Sequence, residues 1–156
     1  MARVFVGIGS NLGDREALLG RAVEAMRTLP GTTLLGVSTL RETDPVGIVD
    51  QPRFLNGAVA LETELDPEAL LGALLGIEQA LGRDRRGVAQ GGPRTIDLDL
   101  LLYDGRRIRR SELEIPHPRL HERRFVLEPL AELDPSLEVP GKGAVQTLLA
   151  RLDSAA

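Results

Sequence analysis

Two aspartates one residue apart, Asp97 and Asp99, stand in the stretch TIDLDLLLY from Thr95 to Tyr103. Ile96, Leu98, Leu100 and Leu102 alternate there with Thr95, Asp97, Asp99 and Leu101, which predicts a strand with one carboxylate-bearing face. Residues i and i+2 of a strand share a face and lie roughly 6.5 to 7 Å apart, so the two carboxylates repel unless cations compensate. A hard divalent ion held by a few carboxylates and a substrate's phosphates is the usual arrangement for magnesium. The plainer alternative is an exposed face whose aspartates are solvated or paired with arginine. The flanking sequence GGPRTIDLDL shifts the balance, because it joins a glycine-rich segment, Arg94 and both carboxylates, the parts that phosphoryl transfer uses.

Other residues could complete such a site. Arg83, Arg85 and Arg86 follow the second predicted helix. They can answer its C-terminal dipole, or grip phosphate oxygens bidentately. His117, held between Pro116 and Pro118 with Arg119 and Arg123 nearby, is either a structural histidine or a phosphate ligand; His121 reads as surface. Phe54 and Asn56 follow a proline-containing loop, where a ring could stack on a flat heterocycle while an amide, donor and acceptor together, reads its edge. The run Gly7-Ile8-Gly9-Ser10-Asn11-Leu12-Gly13 matches neither G-x-G-x-x-G nor G-x-x-x-x-G-K-S/T, and reads as a turn.

These residues need a scaffold, and the pattern supplies one. Arg3 to Gly9 predicts a strand, and Arg15 to Leu29 a helix with Leu18, Leu19, Ala22, Val23 and Met26 at helical spacing. Thr32 to Leu40 predicts the next strand, Thr43 to Arg53 a loop, and Phe54 to Leu61 another strand. Asp66-Pro67 starts a second helix, lined by Leu70, Leu74, Ile77 and Leu81. Arg83 to Pro93 reads as a surface loop of the kind that closes over ligands, followed by the aspartate strand. The order βαββαβ predicts an α+β, ferredoxin-like sandwich with two helices on one side of an antiparallel-rich sheet. Beyond it lie a small strand pair around Arg107 to Ile115, a helix near Phe125 to Leu133 and a C-terminal helix carrying Val145, Leu148, Leu149 and Leu152.

At 156 residues, with 42% hydrophobic and 27% charged, the chain is expected to form a single domain over 1–156 that needs neither metal nor disulfide to fold. The absence of cysteine excludes disulfide scaffolds, zinc ribbons and thiol nucleophiles, and points to a reducing cytoplasm. No apolar run approaches the roughly 18 residues of a membrane span, and the start has no signal-peptide pattern. The net charge of −4 is uneven: Arg83 to Arg124 holds eleven Arg against seven Asp or Glu. A basic middle suits a phosphate-bearing ligand.

Four segments together resemble the 6-hydroxymethyl-7,8-dihydropterin pyrophosphokinase family of folate biosynthesis. They are GSNLGD (9–14), DQPRFLNGAVALET (50–63), GPRTIDLDLLLY (92–103) and IPHPRLHERRFVLEPLAEL (115–133), the likeness running from about Val4 to Pro135. It implies a ferredoxin-like core and an enzyme that moves the terminal diphosphate of ATP onto the pterin's hydroxymethyl group, releasing AMP. It further implies two Mg²⁺ ions on Asp97 and Asp99, and Arg83 and Arg94 on the transferring group. Glu78, Arg85, His117 and Arg123 match positions that hold ATP, Glu78 on the nucleoside side; Thr43, Val46, Phe54, Asn56 and Phe125 match the pterin pocket, with Phe54 and Phe125 sandwiching the ring. A monomer is implied.

The chain departs from the family pattern at Gly91, where some relatives have tryptophan, at Asp44 and Pro118, which replace a proline and an aromatic, and at Glu112 and Glu114 near the ATP position. Two rivals remain. An RNA-binding sheet would display aromatics on adjacent central strands, and only Phe5, Phe54, Phe125 and Tyr103 exist, so no nucleic-acid partner is expected. A non-catalytic domain binding a small metabolite would not need Asp97 and Asp99.

Overall fold

The computed structural model describes residues 1–44, 50–82 and 96–155. Strand β1 (Ala2–Ser10) leads to helix α1 (Arg15–Arg27), whose N-cap Asp14 accepts from the Ala17 amide at 3.1 Å. Strand β2 (Thr32–Val37), the short β3 (Arg41–Thr43) and β4 (Phe54–Thr63) follow, then helix α2 (Pro67–Ala80), capped by Asp66 with proline at its first position. Strand β5 (Asp97–Tyr103) closes the sheet. The remainder is a hairpin of β6 (Ile108–Arg110) and β7 (Leu113–Ile115), a 3₁₀ turn (Leu120–Glu122), α3 (Arg124–Leu133), a two-residue pair β8 (Glu138–Val139) and β9 (Gly143–Ala144), and α4 (Val145–Ala155).

The main sheet runs β2-β4-β1-β5, with β3 also paired to β4, and each of these pairings is antiparallel. Its two faces carry different cores. On one, Val4, Val6, Ile8, Leu98, Leu100, Val59 and Leu61 pack against Leu19, Ala22 and Met26 of α1 and Leu70, Leu74 and Ile77 of α2. On the other, Phe5, Ala58, Ala60, Leu101 and Leu102 meet Val126, Leu127 and Leu130 of α3 and Val145 and Leu148 of α4. Helices therefore cover both faces, where the sequence placed the first two on one side and left the C-terminal elements unplaced.

Three local expectations are corrected. The expected strand Thr32–Leu40 stops at Val37, and Arg41–Thr43 forms a separate strand whose last residue had been assigned to the loop. Buried Ser38 marks the break: its hydroxyl accepts from the Ala58 amide at 2.9 Å and donates to the Thr39 carbonyl, replacing a ladder bond with a side-chain one. Second, the period-two pattern of β5 does not run to Tyr103. Val6 pairs with Leu100 but Phe5 with Leu102, so a bulge at Leu101 turns both Leu101 and Leu102 to the α3 face. Third, Gly7 and Gly9, shared between the strand expected over Arg3–Gly9 and the turn expected over Gly7–Gly13, belong to the strand, which runs to Ser10.

Candidate functional site

The sheet register brings the candidate residues into rows. Gly9 pairs with Asn56 on one side and Asp97 on the other; Gly7 pairs with Ala58 and Asp99. Directly opposed residues of an antiparallel ladder share a face. Asp97 and Asp99 therefore stand on the face that carries Phe5, Ala58 and Leu101, opposite α1 and α2. Neighbouring strands are about 4.8 Å apart, so Asp97 and Asn56, two strands apart, are separated by roughly 10 Å of sheet. Between them β1 presents only glycines. Both aspartates are half-buried while Gly9 is buried, which describes a shallow depression floored by backbone.

Asn56 is oriented within this depression. Its Oδ1 accepts from Thr43 Oγ1 at 3.0 Å, across the β3–β4 ladder in which Thr43 opposes Phe54. On its other flank, a Cβ built on Gly9 would lie 3.2 Å from Asn56 Nδ2, so the glycine grants the amide its position. Phe54 is buried at the start of β4 and Phe125 half-buried in the first turn of α3, with the Arg123 guanidinium 5.6 Å from the Phe125 ring centroid. Glu132, near the other end of α3, accepts from the Thr39 amide at 2.8 Å, the Thr39 hydroxyl at 3.0 Å and Arg41 at 2.7 Å, tying that helix to the chain entering β3. These bonds to the ionised form hold its carboxyl below the usual range.

Two of the residues expected to hold ATP, His117 and Glu78, are bonded to β5. The His117 amide donates to the Leu101 carbonyl at 3.0 Å, fastening the Pro116–Pro118 segment to β5. His117 Nδ1 accepts from the Arg119 amide at 3.3 Å, which assigns the proton of the neutral ring to Nε2. Burial pushes this imidazole below its ordinary value, and Arg123 adds to the shift, while Asp97 and Glu114 pull the other way. Asp97 of the aspartate strand is thus among the charges felt by His117. Glu78 is 2% exposed, and its Oε2 accepts from the Leu98 amide at 2.8 Å. So buried a carboxylate offers little surface to a nucleoside, and one bond it makes is to the aspartate strand.

Arg83, Arg85, Arg94 and Val46 lie outside the described residues, as do Arg86, Gly91 and the expected loop Arg83–Pro93. Of the departures, Asp44 is exposed and pairs with Arg53 at 3.2 Å, and Arg53 also reaches Glu42, which Arg15 grips at 2.7 Å. Asn11, buried, donates to Gln51 Oε1 and the Pro52 carbonyl, both at 2.9 Å. This polar cluster anchors the residues before β4 to the chain entering α1. Pro118, Glu112 and Glu114 are exposed. Sequence reasoning missed Gly7 and Gly9 as site residues; their period of two with Phe5, continuing a strand, was the available signal.

The donor set fits magnesium by its chemistry: two hard carboxylates on one strand face, beside Gly7 and Gly9, which carry no side chain. Among the described residues no group of three or more His, Cys, Asp or Glu forms a metal cluster. No helix among the described residues is long and apolar enough to cross a membrane.

A family model described as 7,8-dihydro-6-hydroxymethylpterin-pyrophosphokinase matches residues 5–135. The chain is 46% identical over 153 residues to a protein of Methylorubrum extorquens named 2-amino-4-hydroxy-6-hydroxymethyldihydropteridine pyrophosphokinase, covering 98% of this chain and 95% of the relative. A Bacillus subtilis protein of the same name is 46% identical, over 86% of this chain and 79% of its own. Among solved structures, the Plasmodium falciparum HPPK-DHPS with pterin and p-hydroxybenzoate superposes with a TM-score of 0.74 at 15% identity, over 98% of this chain and 42% of that longer one, a likeness of fold.

Proposed function

Because the chain belongs to the 7,8-dihydro-6-hydroxymethylpterin-pyrophosphokinase family, and so is an ATP-dependent diphosphokinase of folate biosynthesis, we propose that it carries out the transfer on the sheet face that bears Asp97, Asp99 and Asn56. The row Asp97–Gly9–Asn56 carries this reading, since it sets a metal-binding pair and a heterocycle-reading amide on one face with glycine between. The pterin takes the Asn56 end. Phe54 and Phe125 flank its ring, and the Asn56 amide, braced by Thr43, reads its polar edge; Val46 completes the pocket. ATP takes the other end, with Nε2–H of His117 and the Arg123 guanidinium donating to phosphate oxygens. Arg83, Arg85 and Arg94 supply further guanidinium groups.

In the transfer, the hydroxymethyl oxygen forms a bond to the β-phosphorus in line as the bond from that phosphorus to the α,β-bridging oxygen breaks. AMP leaves with the bridging oxygen, and the hydroxyl proton is released. Asp97 and Asp99 would hold two Mg²⁺ ions, which when bound screen the triphosphate and favour charge building on the oxygens around the β-phosphorus. The chain's own contribution is positioning: a sheet that fixes both ends of the row, and cationic side chains preorganised for the developing charge. The strand order β2-β4-β1-β5 with crossovers through α1 and α2 is read as the ferredoxin-like plan, and the enzyme as a monomer.

Purified protein with ATP, Mg²⁺ and 6-hydroxymethyl-7,8-dihydropterin is expected to give AMP and a diphosphorylated pterin. D97N and D99N should each lower kcat by about a thousandfold or more while keeping the native circular dichroism, in the range that loss of charge stabilisation at a transition state brings. Folded variants with wild-type turnover would place the chemistry elsewhere. Metabolite binding without nucleotide consumption by the wild type would favour the rival regulatory domain.

A further inference from the structure

We propose that Glu78 is a positioning residue that sets the aim of Asp97 and Asp99 through the backbone between them, an inference that rests on reading those two aspartates as the metal ligands. β5 ends the strand order of the sheet, and its register with β1 pairs Asp97 with Gly9, Leu98 with Ile8 and Asp99 with Gly7. Successive residues of an antiparallel strand direct their N–H and C=O alternately toward the partner and away from it. The Leu98 amide, bonded to Glu78 and not to β1, points to the outer edge. There a buried, unpaired N–H would be costly. Glu78 meets that need from α2 with one carboxylate oxygen at 2.8 Å, and both residues are buried, at 2% and 5% exposure.

The choice of a carboxylate is informative. Glu78 lies in the last turn of α2 (Pro67–Ala80), the negative end of the helix dipole, where an acid is disfavoured. It also adds a third negative group to a strand that already carries two. At this end of the helix Glu78 serves as the acceptor for the Leu98 amide. The amide it holds belongs to the residue between the two aspartates; fixing that peptide constrains the strand on both sides of it, and with it the directions of the side chains at 97 and 99. The second tie on the same edge, from the His117 amide to the Leu101 carbonyl at 3.0 Å, fastens the strand two residues beyond Asp99. Glu78 and the His117 segment thus brace the metal strand on the side that β1 leaves open.

The test compares E78Q and E78L with the wild type and with D97N as a control. Two readouts are needed: hydrogen exchange of the Leu98 amide by NMR in metal-free protein, and Mn²⁺ affinity by electron paramagnetic resonance with α,β-methylene-ATP present. A glutamine carbonyl can still accept from the Leu98 amide, so E78Q is expected to keep Leu98 protection and to bind Mn²⁺ within about fivefold of wild type. E78L should exchange Leu98 at least about tenfold faster and lose roughly 10- to 100-fold in Mn²⁺ affinity, as metal sites do when a residue orienting a ligand is removed. Unchanged Leu98 exchange or unchanged Mn²⁺ affinity in folded E78L overturns the proposal. So does an E78Q as weak as E78L, which would assign the effect to charge; should E78L fail to fold, E78Q alone decides, with a loss of tenfold or more overturning it. D97N binding Mn²⁺ as tightly as wild type would instead remove the metal reading itself, and the two failures are told apart by that control.

Discussion

Replacing Gly9 by alanine tests the geometry of the depression with a single methyl group. Gly9 lies in extended backbone within β1, which alanine adopts without strain. Its Cβ would stand 3.2 Å from Asn56 Nδ2, 3.5 Å from Cγ and 3.6 Å from Oδ1. The amide must then yield by a few tenths of an ångström, and its freedom to do so is limited by the 3.0 Å bond from Thr43 Oγ1. Displacing an amide from its aim on a ligand forfeits about one neutral hydrogen bond, on the order of 0.5–1.5 kcal/mol. At 1.4 kcal/mol per decade this is about a 2- to 12-fold loss of pterin affinity. Stability should barely change, because the mild crowding is offset by about 0.4–1 kcal/mol from a stiffer unfolded chain. Calorimetric titration of the oxidised pterin in the presence of α,β-methylene-ATP measures the first, and a thermal melt the second. Nucleotide affinity should be that of the wild type. Pterin affinity within about a factor of 1.5 of wild type in a folded G9A would refute the argument that Asn56 faces the substrate across Gly9.

The His117 imidazole, held below its ordinary value chiefly by burial, contributes stability that is full above the unfolded value near 6.5 and falls as pH drops through that value toward the folded one. Melting temperatures compared between pH 8 and 5.5 should therefore drop more for the wild type than for H117N; equal drops would contradict the assigned environment. Glu132 has a dependence of the same sign in a more acidic window: its depressed carboxyl stabilises the fold above about 4.5, and the contribution is lost as pH falls below that. E132A should cost about 1 kcal/mol at pH 7, reduced by the half-exposed setting, seen as roughly 2–4 °C in Tm, and no change would mean the ties to Thr39 and Arg41 are idle. Leu74→Ala, in the core on the sheet face covered by α1 and α2, should cost about 2–5 kcal/mol by denaturant titration without altering pterin affinity in the folded fraction.

The alternation of strands and helices apart from β3, the start of α2 and the aspartate face were legible because each rests on short-range rules: Asp66 is a cap, Pro67 sits where proline is tolerated, and Asp97 and Asp99 share a face by strand geometry alone. What was not legible depends on contacts distant in sequence. The bulge at Leu101 answers β1, about a hundred residues earlier, and no local pattern announces it. The break at Ser38 is fixed by the Ala58 amide on β4. Gly7 and Gly9 fall in the expected strand, but only the pairing with β4 and β5 shows that Gly9 stands between Asn56 and Asp97. Glu78 was read as a ligand contact, and only the edge position of β5 shows the backbone amide it serves.

The central claim, that both substrates meet on the face formed by Asn56, Gly9 and Asp97, is tested most directly by a crystal structure with Mg²⁺, α,β-methylene-ATP and 6-hydroxymethyl-7,8-dihydropterin bound together. Metal density joining Asp97 and Asp99 to phosphate oxygens, with the pterin against Asn56 and its hydroxymethyl group directed along the row toward the β-phosphate, is the predicted result. Nucleotide or pterin bound away from that row, with no metal at Asp97 and Asp99, would contradict it.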